Sequence, residues 1–226
     1  MRRHQFQRYR LEVVTAASGR VLEVGVGSGL NFPLYGMQVE IVFGIDPSPR
    51  LLAIARQRAA TTSIRAELLQ ASATAIPLAD NTIDTVVMTW TLCSIPDPLA
   101  ALREIRRVLK PHGKLLFVEH GLSSEPRIER WQHRLTPIWG HIAGGCHLDR
   151  KMDDLIRAAG FDILRLRTEY AARPASDDLH VCGMRTIGRG WLIDCRKGHG
   201  SGSNRYSGRM AEMTRLPRSQ AARRAD

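Results

Sequence analysis

Three glycines at alternate positions, Gly25, Gly27 and Gly29, follow directly on the apolar run Val21, Leu22, Glu23, Val24. Glycine accepts positive φ and places no Cβ between the backbone and a ligand, so a turn of this kind lets a small molecule lie against main-chain N–H groups. Leu30, Phe32, Leu34 and Tyr35 then recur at helical spacing, which predicts strand, tight turn and helix. The dinucleotide fingerprint G-x-G-x-x-G would need its third glycine at 30 or 32, where the chain has Leu30 and Phe32. A pyrophosphate is therefore disfavoured. What stands instead is G-x-G-x-G behind an acidic residue, Glu23, and a second apolar run, 39–45, that ends in Asp46. A carboxylate at the end of the second strand accepts hydrogen bonds from both hydroxyls of a ribose. This combination is the one expected for S-adenosyl-L-methionine.

The elements that must position these groups alternate along the chain. Residues 5–17 read as a helix leading into the first strand, and Pro47 and Ser48 open a helix whose apolar face is Leu51, Leu52, Ile54 and Ala55. A third strand is predicted over 64–70, and the loop behind it brings Ser72 and Ala73 to the flank of an adenine, the first by its hydroxyl and the second by its backbone N–H. The β-branched run 81–90 is a fourth strand covered on both faces. Residues 98–110 form a helix stopped by Pro111, His112 and Gly113, and 114–119 form a fifth strand that delivers Glu119 and His120 to the ligand edge. Residues 121–150 carry aromatic and histidine side chains without clean periodicity and read as a lid over the crevice. A short helix over 152–159, a strand over 161–166 and a last strand over 179–184 complete the pattern. The fold class is α/β, a Rossmann-like doubly wound seven-stranded sheet with an antiparallel last strand.

At 226 residues the chain holds one such domain, over 1–186, and a basic Gly/Ser/Arg-rich tail over 187–226 whose composition predicts disorder. The four cysteines, Cys93, Cys146, Cys182 and Cys195, form no C-x-x-C pair, so neither a metal site nor a disulfide framework is expected. No apolar run spans a membrane and the amino terminus lacks a secretory h-region, so a cytoplasmic location is expected. The net charge of +11 resides at the ends, four arginines within residues 1–10 and nine Lys/Arg within 186–226, and the body between is nearly neutral. Basic ends of this kind offer a weak contact with anionic surfaces, and no specific nucleic acid is expected.

Leu22-Glu23-Val24-Gly25-x-Gly27-x-Gly29, Asp46, the segment 80–87 and the run Arg106-Arg107-Val108-Leu109-Lys110-Pro111-His112-Gly113 together resemble the class I S-adenosylmethionine-dependent methyltransferases. Thr91-Leu92-Cys93-Ser94-Ile95, Val118-Glu119-His120 and Gly145-Cys146-x-Leu148-x-Arg150 are similar to the thiol S-methyltransferase group and its bacterial relatives, with phospholipid and quinone methyltransferases as looser kin. Three departures stand out: His112 replaces the usual glycine, Ser72 stands where many relatives have Asp, and the membrane-anchoring first helix of eukaryotic members is not seen. The resemblance implies that Glu23 and the glycine turn hold the methionine portion, Asp46 the ribose, and Ser72 and Ala73 the adenine. It places Thr89 and Trp90 near the methyl group.

A sulfonium is already an activated donor, so methyl transfer needs above all an in-line nucleophile about 3 Å from the methyl carbon. A thiol, phenol or carbon acceptor must still lose a proton. The candidate bases are His120, His141 and His147, with His120 first because it follows the fifth strand and Glu119 as its orienting partner. The expected function is methyl transfer to a small-molecule acceptor such as a thiol, lipid or quinone. The alternatives are an RNA or protein methyltransferase that uses the basic ends and a catalytically silent cofactor-binding module. The chain contains no Asn-Pro-Pro-Tyr run, which argues against methylation of an exocyclic base amine.

Overall fold

The computed structural model describes residues 4–123, 125–142, 145–170 and 189–197. After helix α1 (His4–Thr15), five parallel strands form the centre of the sheet. They are β1 (Gly19–Val24), β2 (Val39–Asp46), β3 (Ala66–Gln70), β4 (Ile83–Thr89) and β5 (Leu109–Gly121), in the spatial order β3-β2-β1-β4-β5. The chain starts in the middle, winds outward through β3 and then reverses to the other side of β1. Ligands of open α/β sheets bind at such a reversal, beyond the carboxyl ends of the strands. The register brings those ends into line: Val24 lies opposite Ile45 and Met88, Asp46 opposite Gln70, and Thr89 opposite Val118. Gly25, Asp46, Ala71, Trp90 and Glu119 consequently collect along one edge.

Each face of the sheet has its own core. Leu22, Phe43, Met88 and Phe117 pack under α3 (Pro98–Val108) and α5 (Met152–Ala158), through Leu102, Ile105, Met152 and Ile156. Val21, Val42 and Val87 pack under α1 and α2 (Pro49–Ala59), through Val13, Val14, Leu52 and Ala55. The helix starts are written in the sequence. Ser48 accepts a hydrogen bond from the Leu51 N–H and Asp97 from that of Ala100, each followed by a proline in the first turn.

Several expected elements differ. No α-helix follows the glycines; a single 3₁₀ turn, Phe32–Leu34, leads to Tyr35 in extended conformation, because Asn31 turns its side chain inward and only a few residues separate the turn from β2. The long helix ends at Val108, and β5 begins at once with Leu109, so Pro111, His112 and Gly113 lie inside a strand beside a register shift. The segment that lacked periodicity contains helix α4 (Pro126–Ile142). Its buried side includes Gln132 and Thr136, while Trp131, Ile138 and Ile142 are exposed, an inversion that hides an amphipathic period. The strand expected over 179–184 lies outside the described residues. The stretch read as the start of a disordered tail instead contains β7 (Arg189–Lys197), antiparallel to both β5 and β6 (Phe161–Tyr170). Trp191, Leu192 and Ile193 are good strand formers that the surrounding glycines and arginines mask. Among the described residues no helix is long and apolar enough to cross a membrane.

Candidate active site

The glycine turn is left-handed throughout, with φ of 70° at Gly25, 54° at Gly27 and 74° at Gly29. The three positions do different work. A Cβ at Gly25 would stand 2.3 Å from the Thr91 side chain, and one at Gly29 2.6 Å from Phe32, whereas one at Gly27 would meet nothing nearer than the Gly25 carbonyl at 3.9 Å. Gly25 and Gly29 are thus required by packing, and Gly27 faces open space where a ligand can approach. Asp46 fixes this arrangement: its Oδ2 accepts from the Gly27 N–H at 3.0 Å and its Oδ1 from the Ser48 N–H at 2.9 Å. The Gly25 and Val26 N–H groups donate to the Ile45 carbonyl at 2.9 and 3.0 Å, so β2 holds the whole turn.

Glu23 does not face a cleft. It is 2% exposed, its Oε1 accepts from Asn31 Nδ2 at 2.8 Å and its Oε2 from the Tyr35 hydroxyl at 2.8 Å. Asn31 Oδ1 in turn accepts from Arg10 Nη1 at 2.6 Å, and the Arg10 guanidinium lies 5.2 Å from the Trp90 ring centre. Burial pushes the Glu23 carboxyl up to about 7, against the hydrogen bonds from Tyr35 and Asn31 and the charge of Arg10. The charge reading placed Arg10 in a basic arm; it is 8% exposed and belongs to this network. Asn31 and Tyr35 were also missed. The available signal was a polar residue two positions beyond the last glycine and an arginine, Arg10, on the helix that carries the apolar Tyr9, Val13 and Val14.

Ser72 lies on an exposed turn where its Oγ sits 2.8 Å from Thr74 Oγ1 and accepts from the Thr74 N–H at 3.2 Å; Ala73 packs against the core. Helix α3 holds this loop in place, for Glu104 accepts from the Ile76 N–H at 3.0 Å and Arg107 donates to the carbonyls of Ile76 and Leu78 at 2.9 and 2.8 Å. Thr89 Oγ1 accepts from Asn31 Nδ2 at 3.3 Å. Trp90 is buried in the left-handed region at φ 55°, where a bulky side chain is strained, and its N–H donates to the Val118 carbonyl at 2.8 Å.

Next to Trp90, with ring centres 6.4 Å apart, stands the half-buried His120. Glu119, expected as its orienting partner, is bound to the backbone of the next loop. The Glu119 carboxylate is fully buried and accepts the backbone N–H groups of Thr91, Leu92 and Cys93 at 2.6, 2.7 and 3.2 Å. Burial raises its pKa, and those three N–H groups and His120 hold it down. The neighbours of His120 are sulfurs instead: Cys93 Sγ is 3.9 Å from its Nδ1, and Cys146 Sγ is 3.5 Å from Cys93 Sγ. The hydrogen bond between the two thiols, together with burial, raises Cys93; the same bond and the nearby imidazole pull Cys146 down to about 5. The segment 146–150 is tied to the Thr91–Ile95 loop, as His147 N–H donates to the Cys93 carbonyl at 2.8 Å and Arg150 donates to the carbonyls of Leu92 and Ile95 at 2.8 and 2.7 Å. His147 itself is half-exposed, with Asp149 3.8 Å away, and His141 has no described side chain. A concavity of about 530 Å³ lined by Asp84, Lys110 and His112 opens at the amino ends of the strands, the edge opposite the glycine turn.

A methyltransferase-domain family model matches residues 22–117, the stretch from β1 through β5 that carries the glycine turn, Asp46 and Trp90. A thiol S-methyltransferase of Rattus norvegicus is 36% identical over 152 residues, covering 65% of this chain and 61% of that protein. The chain therefore spans somewhat less than two thirds of that relative's length. A thiol S-methyltransferase of Homo sapiens is 33% identical over 168 residues, covering 71% of this chain and 68% of that protein. Among solved structures, a SAM-dependent methyltransferase of Thermotoga maritima superposes with a TM-score of 0.60 at 25% identity, covering 85% of this chain and 91% of that one.

Proposed function

The chain belongs to the class I S-adenosylmethionine-dependent methyltransferases, and from that premise we propose that it moves the methyl group of S-adenosyl-L-methionine to a small-molecule acceptor, a thiol before a lipid or a quinone. The observation that carries this reading is Gly27: an open left-handed glycine bound through its N–H to the carboxylate that ends β2. In this reading the turn of Gly25, Gly27 and Gly29 receives the methionine portion, Asp46 the ribose, and Ser72 and Ala73 the adenine. Glu23 acts from behind, by holding Asn31 and Tyr35 against the turn. Thr89 and Trp90 flank the methyl end, and His120 accepts the acceptor's proton from the carboxyl edge. The acceptor atom then attacks in line, the sulfonium C–S bond breaks, and S-adenosylhomocysteine leaves. We also take β6 and β7 as completing a seven-stranded sheet with an antiparallel last strand, so that the domain reaches at least Lys197.

The test is release of S-adenosylhomocysteine in the presence of a small thiol, a phospholipid dispersion or a quinol. A methylated thiol formed in step with S-adenosylhomocysteine is the expected result. Cofactor binding without product from any of the three would leave a silent binding module as the reading.

A further inference from the structure

Cys93, His120 and Cys146 lie far apart in sequence, yet one ligand atom from each falls within 4.8 Å of the other two. The elements that bring them together are the turn after β4, the end of β5 and the segment behind α4. Two edges of the triangle are 3.5 Å, between the sulfurs, and 3.9 Å, from Cys93 Sγ to His120 Nδ1. Tetrahedral zinc, with bonds of about 2.3 Å to sulfur and about 2.0 Å to nitrogen, would separate its ligands by about 3.8 Å (S to S) and about 3.5 Å (S to N). The cluster is therefore close to metal-binding size. Both sulfurs are buried, at 1% and 7% exposure, while the imidazole is half-exposed and opens the cluster toward the ligand edge.

We propose that Cys93, Cys146 and His120 hold a Zn²⁺ ion whose fourth position takes the acceptor thiol. The inference rests on the methyltransferase reading above and replaces the base role of His120 with a ligand role. Two thiolates and one imidazole form a borderline-soft donor set that suits zinc, and three protein ligands are the number that leaves a position for substrate. Two thiolates also balance the dication, and Glu119 and Arg150, which both brace the Thr91–Ile95 loop, are of opposite charge. The site therefore adds no net buried charge. The step balances simply: a thiol R–SH binds the zinc and loses its proton to solvent. The metal-bound sulfur attacks the methyl carbon, a C–S bond forms as the sulfonium C–S bond breaks, and its electron pair stays on S-adenosylhomocysteine. The product thioether is neutral, a weaker ligand than the thiolate, and leaves.

The experiment is a Co²⁺ titration of the reduced, metal-stripped full-length chain, followed by absorption. One equivalent should give sulfur-to-cobalt charge-transfer bands and the intense d–d bands of tetrahedral cobalt, both erased by one equivalent of Zn²⁺. Cys93→Ser and Cys146→Ser should each weaken cobalt binding at least tenfold, and a small thiol should shift the d–d bands without removing the metal. Should the serine variants misfold, the wild type decides alone: one equivalent of Zn²⁺ should protect two thiols from a disulfide reagent. No tetrahedral cobalt spectrum, no protection, or d–d bands indifferent to thiol would overturn the proposal. Titration of S-adenosylmethionine into the same samples separates the two readings, because cofactor binding without metal uptake removes only the zinc, and metal uptake without cofactor binding removes the methyltransferase reading.

Discussion

Glu23 titrates well above the ordinary carboxylate range because it is buried. Its carboxyl is buried against Arg10 of α1 and the Tyr35 hydroxyl, and its pKa of about 7 lies above the value of about 4.3 expected in an unfolded chain. Between those values the folded state keeps a proton that the unfolded state has released, so stability is highest below the lower value and falls as pH rises through the upper. Denaturant midpoints measured from about pH 4 to about pH 8 should therefore decline, and Glu23→Gln should flatten that decline. Equal slopes for wild type and variant would show that Glu23 titrates normally. At this scale the sequence was legible where the chain itself enforces a conformation: three glycines at alternate positions and an acid ending a strand. It was illegible where the partner lay far along the chain, as with Arg10 and Asn31, 21 residues apart.

The loop Thr91–Ile95 is held less by its own residues than by side chains arriving from elsewhere. Glu119 from β5 takes three of its N–H groups, and Arg150 takes two of its carbonyls. Glu119→Ala should leave three donors unpaired, two of them buried, and destabilise the fold by about 2 kcal/mol or more, at about 1–3 kcal/mol for each buried donor. Glu119→Gln keeps an acceptor for Thr91 and Leu92 but turns an N–H group toward that of Cys93, and should lie between. The measurement is chemical denaturation beside turnover. Activity lost in Glu119→Gln at unchanged stability would restore Glu119 to a role in orienting the chemistry. Strand–helix alternation could be read at α2 and α3, because each of these helices and the strand before it carry their own period. Helix α4 could not, since its inner side is polar, with Gln132 donating to the carbonyls of Gly121 and Leu148 and accepting from the Ser123 N–H.

At the scale of the whole molecule, the order β3-β2-β1-β4-β5 converts sequence distance into one ligand edge. The parallel core and the glycine turn at its carboxyl edge could be inferred because hydrophobic runs and turns follow the chain. The antiparallel edge could not be placed, because β7 rises from a stretch whose overall composition is that of a tail. The cysteines likewise lacked a local motif, and only the fold sets Cys93 and Cys146 side by side. The central claim concerns the glycine turn, and Gly27 tests it more cleanly than Asp46, whose loss would also free the Gly27 and Ser48 N–H groups. Alanine at Gly27 has room among protein atoms and costs only about 1–2 kcal/mol for its left-handed backbone, but it fills the space a cofactor would use. The decisive measurement is isothermal titration of S-adenosyl-L-methionine into the wild type and Gly27→Ala, with circular dichroism to establish that both are folded. The account predicts binding by the wild type and a loss of tenfold or more in the variant, about 1.4 kcal/mol; no binding to the wild type, or equal affinity in both, would contradict it.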